Sequence, residues 1–304
     1  MCLIAFAINA SARWPLVIAA NRDEFWNRPT LPLGRWQAAS GHDIISGRDL
    51  RGGGTWLGLT PGGRLAMLTN VREAQPQAAP RSRGELVTRW LEATGDAKEF
   101  ALALEKDSAT YGGFNLVLGD FQQNAWTWVT NKSPSASAPS ASAASALHVQ
   151  ALQPGVYGLS NAALNTPWPK TTVLQSVLAA ALTANRNAPE PDALQAPLWT
   201  ALDDRERAPR ENLPSTGVPL ALEEALSSAF VDFPECAYGT RSSTVLLASV
   251  QDNREGARRW DVRIEERTHW RPEPEATAAQ SLGHGATASQ VNSYLIHWQQ
   301  VSAF

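Results

Sequence analysis

The hydrophobic positions of this chain fall into short runs separated by turn-forming residues, a pattern typical of β-strands. Cys2 to Ile8 is the first apolar run, and Trp14 to Ala20 is the second. Because the segment between them is turn-like, the two runs predict an antiparallel hairpin. Further strands are predicted at residues 55–60, 64–69, 114–119, 125–130, 240–250 and 260–270.

Other segments repeat their apolar positions at helical spacing, as Leu86, Trp90 and Leu91 do. Asp96 is a candidate N-cap for the helix that follows. Because strands and helices occur in separate groups rather than in alternation, the order favours helices packed outside antiparallel sheets. We therefore predict an α+β fold. The predicted helices cover residues 84–93, 97–106, 168–183 and 220–230.

The 304 residues, of which 43% are hydrophobic, are enough for one substantial core. We predict a single domain over residues 1–304. Residues 133–145 are almost entirely Ser, Ala and Pro, a composition that cannot form a core face and predicts a flexible loop. Residues 271–304 are interpreted as a C-terminal extension.

Charge and apolar-segment length exclude several classes of protein. The net charge of −3 and the pI near 6.0 provide no basic surface for nucleic acid. No apolar stretch approaches the roughly 18 residues of a membrane span, and the N-terminal run lacks the basic residues of a signal peptide. The sequence predicts a cytoplasmic protein with no nucleic-acid partner and no membrane span, and it carries no signal for an oligomeric state.

Cysteine and histidine usage argues against metal and disulfide chemistry. The two cysteines, Cys2 and Cys236, are too distant in sequence to indicate a disulfide framework. The five histidines never recur at i, i+4, and no His-Glu-x-x-His motif occurs. We predict no metal and no other cofactor, and we interpret Cys236 as a buried thiol.

Cys2 is the first candidate for chemistry because of its position. The alternative interpretation is a small buried hydrophobic residue, as free cysteines often are. Removal of Met1, expected before a residue as small as Cys, would place a free α-amine beside the thiol. An α-amine titrates near pH ~7.7 and a thiol near ~8.5, so the amine can accept the thiol proton. The sequence therefore predicts that Cys2 is a nucleophile activated by its own amine.

Four polar residues, Asn21-Arg22-Asp23-Glu24, follow the second apolar run. The alternative interpretation is a solvated turn with a weak local ion pair. If the strand continues through them, Asn21 and Asp23 share one face while Arg22 and Glu24 share the other. We favour Arg22 near the thiol and Asp23 turned toward the α-amine, an arrangement expected to need a bulge.

Polar residues at other strand ends are weaker candidates. Asn70 and Asn161 carry amides suitable for stabilising an oxyanion, although Asn is also common in turns. Arg241 could hold a carboxylate bidentately, or could be a surface arginine. Trp56 and Trp168 lie near these motifs and could line a pocket or belong to the core.

Several blocks of the chain resemble the NRDE family, and they occur from Cys2 to about Arg267. The resemblance includes Cys2 after Met1. The other blocks are Ala19-Ala20-Asn21-Arg22-Asp23-Glu24-Phe25, Gly53-Gly54-Thr55-Trp56-Leu57-Gly58, Leu68-Thr69-Asn70, Arg83-Gly84-Glu85-Leu86-Val87, Gly113-Phe114-Asn115-Leu116, Tyr157-Gly158-Leu159-Ser160-Asn161, Thr166-Pro167-Trp168 and Tyr238-Gly239-Thr240-Arg241-Ser242-Ser243-Thr244.

This resemblance implies a four-layer αββα sandwich of two antiparallel sheets, similar to the N-terminal-nucleophile amidases. It implies a catalytic set that corresponds here to Cys2, Arg22, Asp23, Asn70, Asn161 and Arg241. The substrate contacts that we expect beside this set are Asn21, Glu24, Trp56 and Trp168. Those amidases space their Arg and Asp more widely, whereas Arg22 and Asp23 are adjacent here, which leaves Asp23 and Glu24 as alternative carboxylates for the amine.

Two functions follow as hypotheses. The first is an N-terminal cysteine hydrolase that cleaves a linear, non-peptide amide or a related acyl bond. The second, implied by the links of the family to haem movement and lipid metabolism, is a non-catalytic carrier. The expected partner is thus a small amide, acyl or haem-like ligand. The sequence has no paired histidines and no Cys-Pro motif for haem, although a lone Cys or His could still ligate iron. We place the enzyme ahead of the carrier.

Overall fold

The structure, a computed structural model, describes residues 2–75, 78–133, 147–185, 190–252, 258–269 and 289–299. These residues form two seven-stranded antiparallel sheets and five α-helices. The strands are β1 Cys2–Ile8, β2 Leu16–Phe25, β3 Thr30–Gln37, β4 Asp43–Asp49, β5 Leu57–Leu59, β6 Arg64–Asn70, β7 Phe114–Asp120, β8 Ala125–Thr130, β9 His148–Ala151, β10 Gly155–Leu159, β11 Asp232–Phe233, β12 Tyr238–Asp252, β13 Arg258–His269 and β14 Ser289–Gln299. The helices are α1 Gly84–Glu92, α2 Ala97–Glu105, α3 Pro169–Ala184, α4 Pro191–Leu202 and α5 Leu220–Ala225.

The first sheet has the order β10-β1-β2-β12-β13-β14, and β11 pairs with β12 at its side. The predicted hairpin is confirmed: β1 and β2 are antiparallel, with Ile8 opposite Leu16 and Cys2 opposite Arg22. The second sheet follows the chain from β3 to β9 in sequence order. β1 is therefore an interior strand whose first residue, Cys2, lies between β2 and the end of β10.

Alternating side chains of each sheet build the layers of the fold. Ile4 and Phe6 of β1 belong to the apolar core between the two sheets. Leu3 and Ala5 face the other way, into a core shared with α3 and α4. A third core joins the second sheet to α1 and α2 around Trp90. The predicted αββα sandwich is confirmed by these three cores.

The strand β2 continues five residues beyond the predicted end at Ala20. The sequence left two interpretations of the polar motif, a solvated turn and a continuation of the strand. The structure shows that the strand continues through the motif. Asn21, Arg22 and Asp23 are all buried. Neighbouring groups hydrogen-bond to the side chains of Asn21 and Asp23, while β1 and β12 satisfy the backbone of this buried strand.

The helix α4, which contains Pro191 and Pro197, was not predicted from the sequence. Pro191 is the first residue of α4, a position whose N–H would have no helical partner. Pro197 lies inside the helix and leaves the carbonyl of Ala193 without its usual donor. The side chain of Asn185 donates to that carbonyl at 3.4 Å. A side chain from outside α4 therefore replaces the lost hydrogen bond.

Other predictions need correction. The predicted helix at 220–230 ends at Ala225 as α5, and the strands β3, β4, β9 and β11 were not predicted. Cys236, interpreted as a buried thiol, is exposed on the short 3₁₀ helix Pro234–Cys236.

Of the predicted extension 271–304, residues 289–299 form β14, a strand of the first sheet. Met1, residues 134–146 of the Ser/Ala/Pro segment, and residues 271–288 and 300–304 lie outside the described residues. No α-helix in the described parts of the chain is long and apolar enough to cross a membrane.

Candidate active site

Cys2 begins β1 directly opposite Arg22 of β2. Residues opposite each other in an antiparallel pair project to the same face, so the thiol and the guanidinium share the face between the two sheets. Cys2 is half-buried. Burial raises the pKa of its thiol, the Asp23 carboxylate raises it further, and the Arg22 guanidinium lowers it. Arg22 is thus the side chain on this face that favours the thiolate.

Arg22 is held by an aromatic ring and a carboxylate. Its Cζ lies 4.3 Å from the centroid of the Trp56 ring, within the range of a cation–π contact. Its Nη2 lies 3.5 Å from Oε2 of Glu24, which projects to the same face. Nη1 of Arg22 is buried and has no hydrogen-bond partner among the described residues. One donor of this guanidinium is therefore available beside Cys2.

Asp23 lies on the opposite face of β2, toward the helices. Its side chain is 1% exposed and accepts a hydrogen bond from Oγ1 of Thr240 at 2.8 Å. The Tyr238 hydroxyl donates to the backbone carbonyl of Asp23 at 3.0 Å. Burial raises the pKa of the Asp23 carboxyl, and the charge of Lys170 opposes that rise. Asp23 is a buried carboxylate whose partners come from β12 and α3.

The bulge expected in β2 is absent from its pairing with β1, and a bulge lies instead in the neighbouring strand β12. Asp23 pairs with Thr240 and Arg22 pairs with Ser242, so Arg241 is the extra residue. Nη1 of Arg241 donates to the carbonyls of Phe25 and Trp26, at 2.9 and 2.6 Å. The guanidinium therefore caps the end of β2.

Arg241 and Arg22 both line a cavity of about 10 Å³, together with Trp56, Ser242 and Glu266. This volume is the size of a single water molecule. Glu266 is buried and accepts a hydrogen bond from the N–H of Leu33 at 2.6 Å. The two arginines are therefore packed closely among side chains from both sheets.

Asn70 and Asn161, the predicted oxyanion donors, are hydrogen-bonded neighbours from different sheets. Nδ2 of Asn161 donates to the backbone carbonyl of Asn70 at 2.9 Å. The Ser160 hydroxyl donates to the backbone carbonyl of Cys2 at 3.1 Å, which ties the same loop to the first residue of β1. The side chain of Asn70 makes no hydrogen bond within the described residues. The structure thus brings both residues close to the end of β1 where Cys2 lies.

Asn21, an expected substrate contact, faces the helices rather than the thiol. Its Nδ2 donates to the carbonyls of Leu202 and Ala229, both at 2.8 Å. Both N–H groups of the amide are thereby used to attach the helical layer to β2. Asn21 therefore has no N–H group left to contact a substrate, contrary to the expectation from the sequence.

Trp168 precedes α3 and covers a buried ion pair. Arg72, two residues beyond Asn70, has its Cζ 4.8 Å from the centroid of the Trp168 ring. Arg72 also forms a buried salt bridge with Glu223 of α5. Its backbone N–H donates to the carbonyl of Asn161 at 2.7 Å. Trp168 is thus linked to both predicted oxyanion donors through Arg72.

Lys170, Arg72, Glu223 and Tyr238 were not identified as site residues from the sequence. Lys170 is 6% exposed, and its Nζ donates to the carbonyl of Leu226 at 2.8 Å. Burial lowers the pKa of Lys170 to about 8, an effect that Asp23 opposes. A lysine that follows Trp-Pro at the start of a helix is the only sequence signal for this group. Within the described residues, no cluster of three His, Cys, Asp or Glu side chains could hold a metal ion.

The chain matches a known protein family over most of its length. The family described as Transport and Golgi organisation 2 matches residues 1–260 of the chain. The chain belongs to this family. The resemblance to the NRDE family inferred from the sequence blocks is thereby confirmed, and the match includes every residue of the candidate site.

Animal relatives named for Transport and Golgi organization protein 2 are similar to this chain along most of their length. The Bos taurus Transport and Golgi organization protein 2 homolog is 32% identical over 257 residues, which cover 81% of this chain and 88% of the relative. The Homo sapiens homolog is 31% identical over 256 residues with the same coverage. The Drosophila melanogaster Transport and Golgi organization protein 2 is 27% identical over 269 residues, 83% of this chain and 89% of the relative.

Two solved structures are similar at low sequence identity. The Caenorhabditis elegans N-acylethanolamine-hydrolyzing acid amidase ortholog has a TM-score of 0.40 and 11% identity, covering 65% of this chain and 85% of that chain. A C2A mutant of the conjugated bile acid hydrolase from Clostridium perfringens has a TM-score of 0.45 and 9% identity, covering 86% and 88%. Both TM-scores are below 0.5.

Proposed function

We propose that the protein is an N-terminal cysteine hydrolase that cleaves a linear, non-peptide amide or a related acyl bond. The observation that carries the proposal is the pairing of Cys2 with Arg22 at the end of β1, with Asp23 behind them on the other face. A thiol beside a guanidinium has the environment of a reactive cysteine. Removal of Met1 would complete the arrangement by adding the α-amine.

The position of Asp23 supports it as the partner of the amine. The α-nitrogen of a strand residue lies in the plane of the sheet, between the two faces. A carboxylate on the helix-facing side can therefore approach the amine of Cys2 without any bulge in β2. Glu24, the alternative carboxylate, instead contacts Arg22 and accepts a hydrogen bond from the N–H of Phe25 at 2.9 Å. We therefore assign Asp23 to the amine and Glu24 to Arg22.

In the proposed reaction, the α-amine accepts the proton of Sγ, directly or through one water, and Sγ attacks the carbonyl carbon. The amides of Asn70 and Asn161 stabilise the oxyanion of the tetrahedral intermediate. The α-ammonium then protonates the leaving amine as the C–N bond breaks, which leaves a thioester on Cys2. Water, deprotonated by the same amine, releases the carboxylic acid and restores the thiol.

Substitution of Cys2 tests this proposal. With a panel of fatty-acyl p-nitroanilides as probes, Cys2→Ala should lower turnover about 100-fold or more because the nucleophile is lost. Cys236→Ala is the matched control, because it removes the exposed thiol and should leave turnover unchanged. Intact mass should show that Met1 is absent. Full turnover by Cys2→Ala, or retained Met1 in the active protein, would contradict the proposed mechanism.

The carrier hypothesis makes a different prediction for the same purified protein. A haem carrier should shift the absorption band of added haem, and Cys2→Ala should alter that shift only if the thiol is the ligand. An unshifted spectrum together with turnover of the p-nitroanilides would favour the hydrolase. A shifted band without turnover of any probe would favour the carrier.

A further inference from the structure

A buried lysine lies behind the candidate active site and has no role in the reaction described above. Lys170 is in the first turn of α3, a helix that packs on β1 and β10. Its side chain is almost fully buried, and its one hydrogen bond in the described residues is to the carbonyl of Leu226. Burying an ammonium group is unfavourable unless charge compensates it. The compensation for Lys170 therefore has to come from neighbouring charges.

The charges around Lys170 come from several elements of the fold. They are the carboxylate of Asp23 on β2, the guanidinium of Arg72 after β6, the carboxylate of Glu223 on α5 and the thiol of Cys2 on β1. Tyr238 of β12 lies beside Asp23.

The two cations of this cluster, Arg72 and Lys170, are balanced by two carboxylates. Arg72 and Glu223 form a salt bridge, and Glu223 also accepts hydrogen bonds from the backbone N–H and the hydroxyl of Thr216. This pair is therefore neutral by itself. Lys170 lies in α3 on the side of the first sheet that the buried Asp23 faces, and their opposite charges leave the cluster neutral before any α-amine is added.

An α-amine beside a lone buried carboxylate would be held as an ammonium, because a nearby opposite charge favours the charged form. An ammonium cannot accept the thiol proton. If Lys170 already balances Asp23, protonating the amine would instead leave one excess positive charge in a buried cluster. The amine would then stay neutral at a lower pH and could act as a base.

We propose that Lys170 is a positioning residue that balances the charge of Asp23 and thereby keeps the α-amine of Cys2 neutral, as the base for its own thiol. The inference rests on the proposed function, because it assigns a role to Lys170 within that reaction. The lowered pKa of Lys170, caused mainly by burial, agrees with a cluster in which positive charges compete for few carboxylates.

The test follows the protonation of the α-amine directly and needs no substrate. In a Cys2→Ser background the thiol no longer competes, and the rate at which cyanate carbamylates the N-terminal amine reports its neutral fraction at each pH. The N-terminal peptide is quantified by mass spectrometry. Lys170→Met should move the midpoint of this titration up by about one pH unit, because a compensating positive charge is lost. Lys170→Arg keeps the charge and should leave the midpoint near that of the parent.

A charge cycle keeps the proposal falsifiable if one variant folds poorly. Asp23→Asn should move the midpoint down, because Lys170 is then uncompensated, and the double variant Lys170→Met with Asp23→Asn should return close to the parent. An unfolded chain would instead give the same midpoint in every variant, and circular dichroism identifies such a case. Equal midpoints for folded Lys170→Met and its parent would overturn the proposal.

Failure of this inference differs from failure of the proposed function. If Cys2→Ala abolishes turnover while Lys170→Met leaves the amine midpoint unchanged, only the role of Lys170 is wrong. If Cys2→Ala retains full turnover, the hydrolase mechanism is wrong whatever the titration shows. With a hydrolysed probe, Lys170→Met should also move the acidic limb of the kcat/KM profile to higher pH, whereas a purely structural defect would lower kcat/KM equally at all pH values.

Discussion

Asn21 shows how one polar motif can serve two faces of a strand. Its neighbour Arg22 projects toward the thiol of Cys2, whereas the Asn21 amide donates to two backbone carbonyls of the helical layer. An amide suits this position because it supplies two N–H donors from a single nitrogen. The asparagine of the motif therefore holds the helices in place, and the charged residues around it contribute the chemistry.

Replacing Asn21 with aspartate tests this structural role. The carboxylate would face the carbonyls of Leu202 and Ala229 without any donor, so Asn21→Asp should lower the free energy of unfolding by about 2–4 kcal/mol. Asn124→Asp is a matched control, because the Asn124 side chain only accepts, from Nδ2 of Asn9 at 3.0 Å on the surface. Urea unfolding of both variants gives the comparison, and equal losses would contradict the assigned role of Asn21.

Sequence reasoning reached the residues that a hairpin brings together. Cys2 and Arg22 are joined by one turn, so local pattern was enough to predict that they meet. Lys170 and Glu223 come from helices more than a hundred residues away, and nothing local indicates that they approach Asp23. Their burial depends on how α3 and α5 pack against the first sheet, which hydrophobic periodicity does not specify.

At the scale of elements, the glycines before β5 explain one of the family blocks. A Cβ on Gly54 would overlap the backbone of Gly84, where α1 begins. The N–H of Thr55 donates to the carbonyl of Gly84 at 3.2 Å, so the two segments touch through their backbones. Gly53 has a φ of 74°, in the left-handed region that favours glycine. This close approach fixes α1 against the second sheet and carries Trp56 to its place over Arg22.

Gly54→Ala should therefore disrupt both packing and the site. We expect a loss of about 1–3 kcal/mol in unfolding free energy, because α1 has to move away from the added methyl group. Gly62→Ala is the control, since its Cβ would meet nothing closer than 3.7 Å. Thermal unfolding compares the two, and an unchanged Tm for Gly54→Ala would contradict the close approach.

The ends of helices and strands were predictable where apolar periodicity is strong. The predictions failed where this periodicity is weak or where a side-chain contact overrides it. The capping box of α2, with Asp96 and Glu99 bonded reciprocally, confirms the predicted N-cap. β3 was missed because only Leu33 and no other residue of that strand is buried, which leaves little pattern to read. α4 was missed because the hydrogen bond from Asn185 to Ala193, which accommodates Pro197, cannot be inferred from a local window.

At the scale of the whole molecule, a half-buried histidine joins the end of β13 to the helical layer. Nε2 of His269 lies 2.9 Å from the Ser243 hydroxyl, and its ring packs edge-on against Phe230 with 4.9 Å between centroids. Burial lowers the pKa of His269 to about 4, the charges of Arg205 and Arg267 add to this effect, and Asp203 opposes it. The folded protein therefore keeps this imidazole neutral in mild acid.

Stability should consequently fall with acidification. Between about pH 6.5 and 4 the unfolded chain binds a proton at His269 while the folded chain does not, so the unfolded state gains stability as the pH drops. Over this pH range the free energy of unfolding should fall by about 1–2 kcal/mol less in His269→Gln than in the parent protein. This figure already allows for the solvent-exposed part of the ring. Urea titrations at several pH values measure the slope, and parallel curves for the two proteins would contradict the prediction.

The interior position of β1 has a practical consequence for anyone who purifies the protein. Cys2 begins a strand that is flanked on one side by β2 and on the other by the end of β10. An affinity tag fused before Cys2 would therefore have to pass between Arg22 and Ser160. Such a fusion would fold, because every strand remains, yet it would carry an amide in place of the free amine. Under the proposed mechanism, protein tagged in this way would have no hydrolase activity. Activity assays therefore need protein from which the tag has been cleaved so that the chain begins at Cys2.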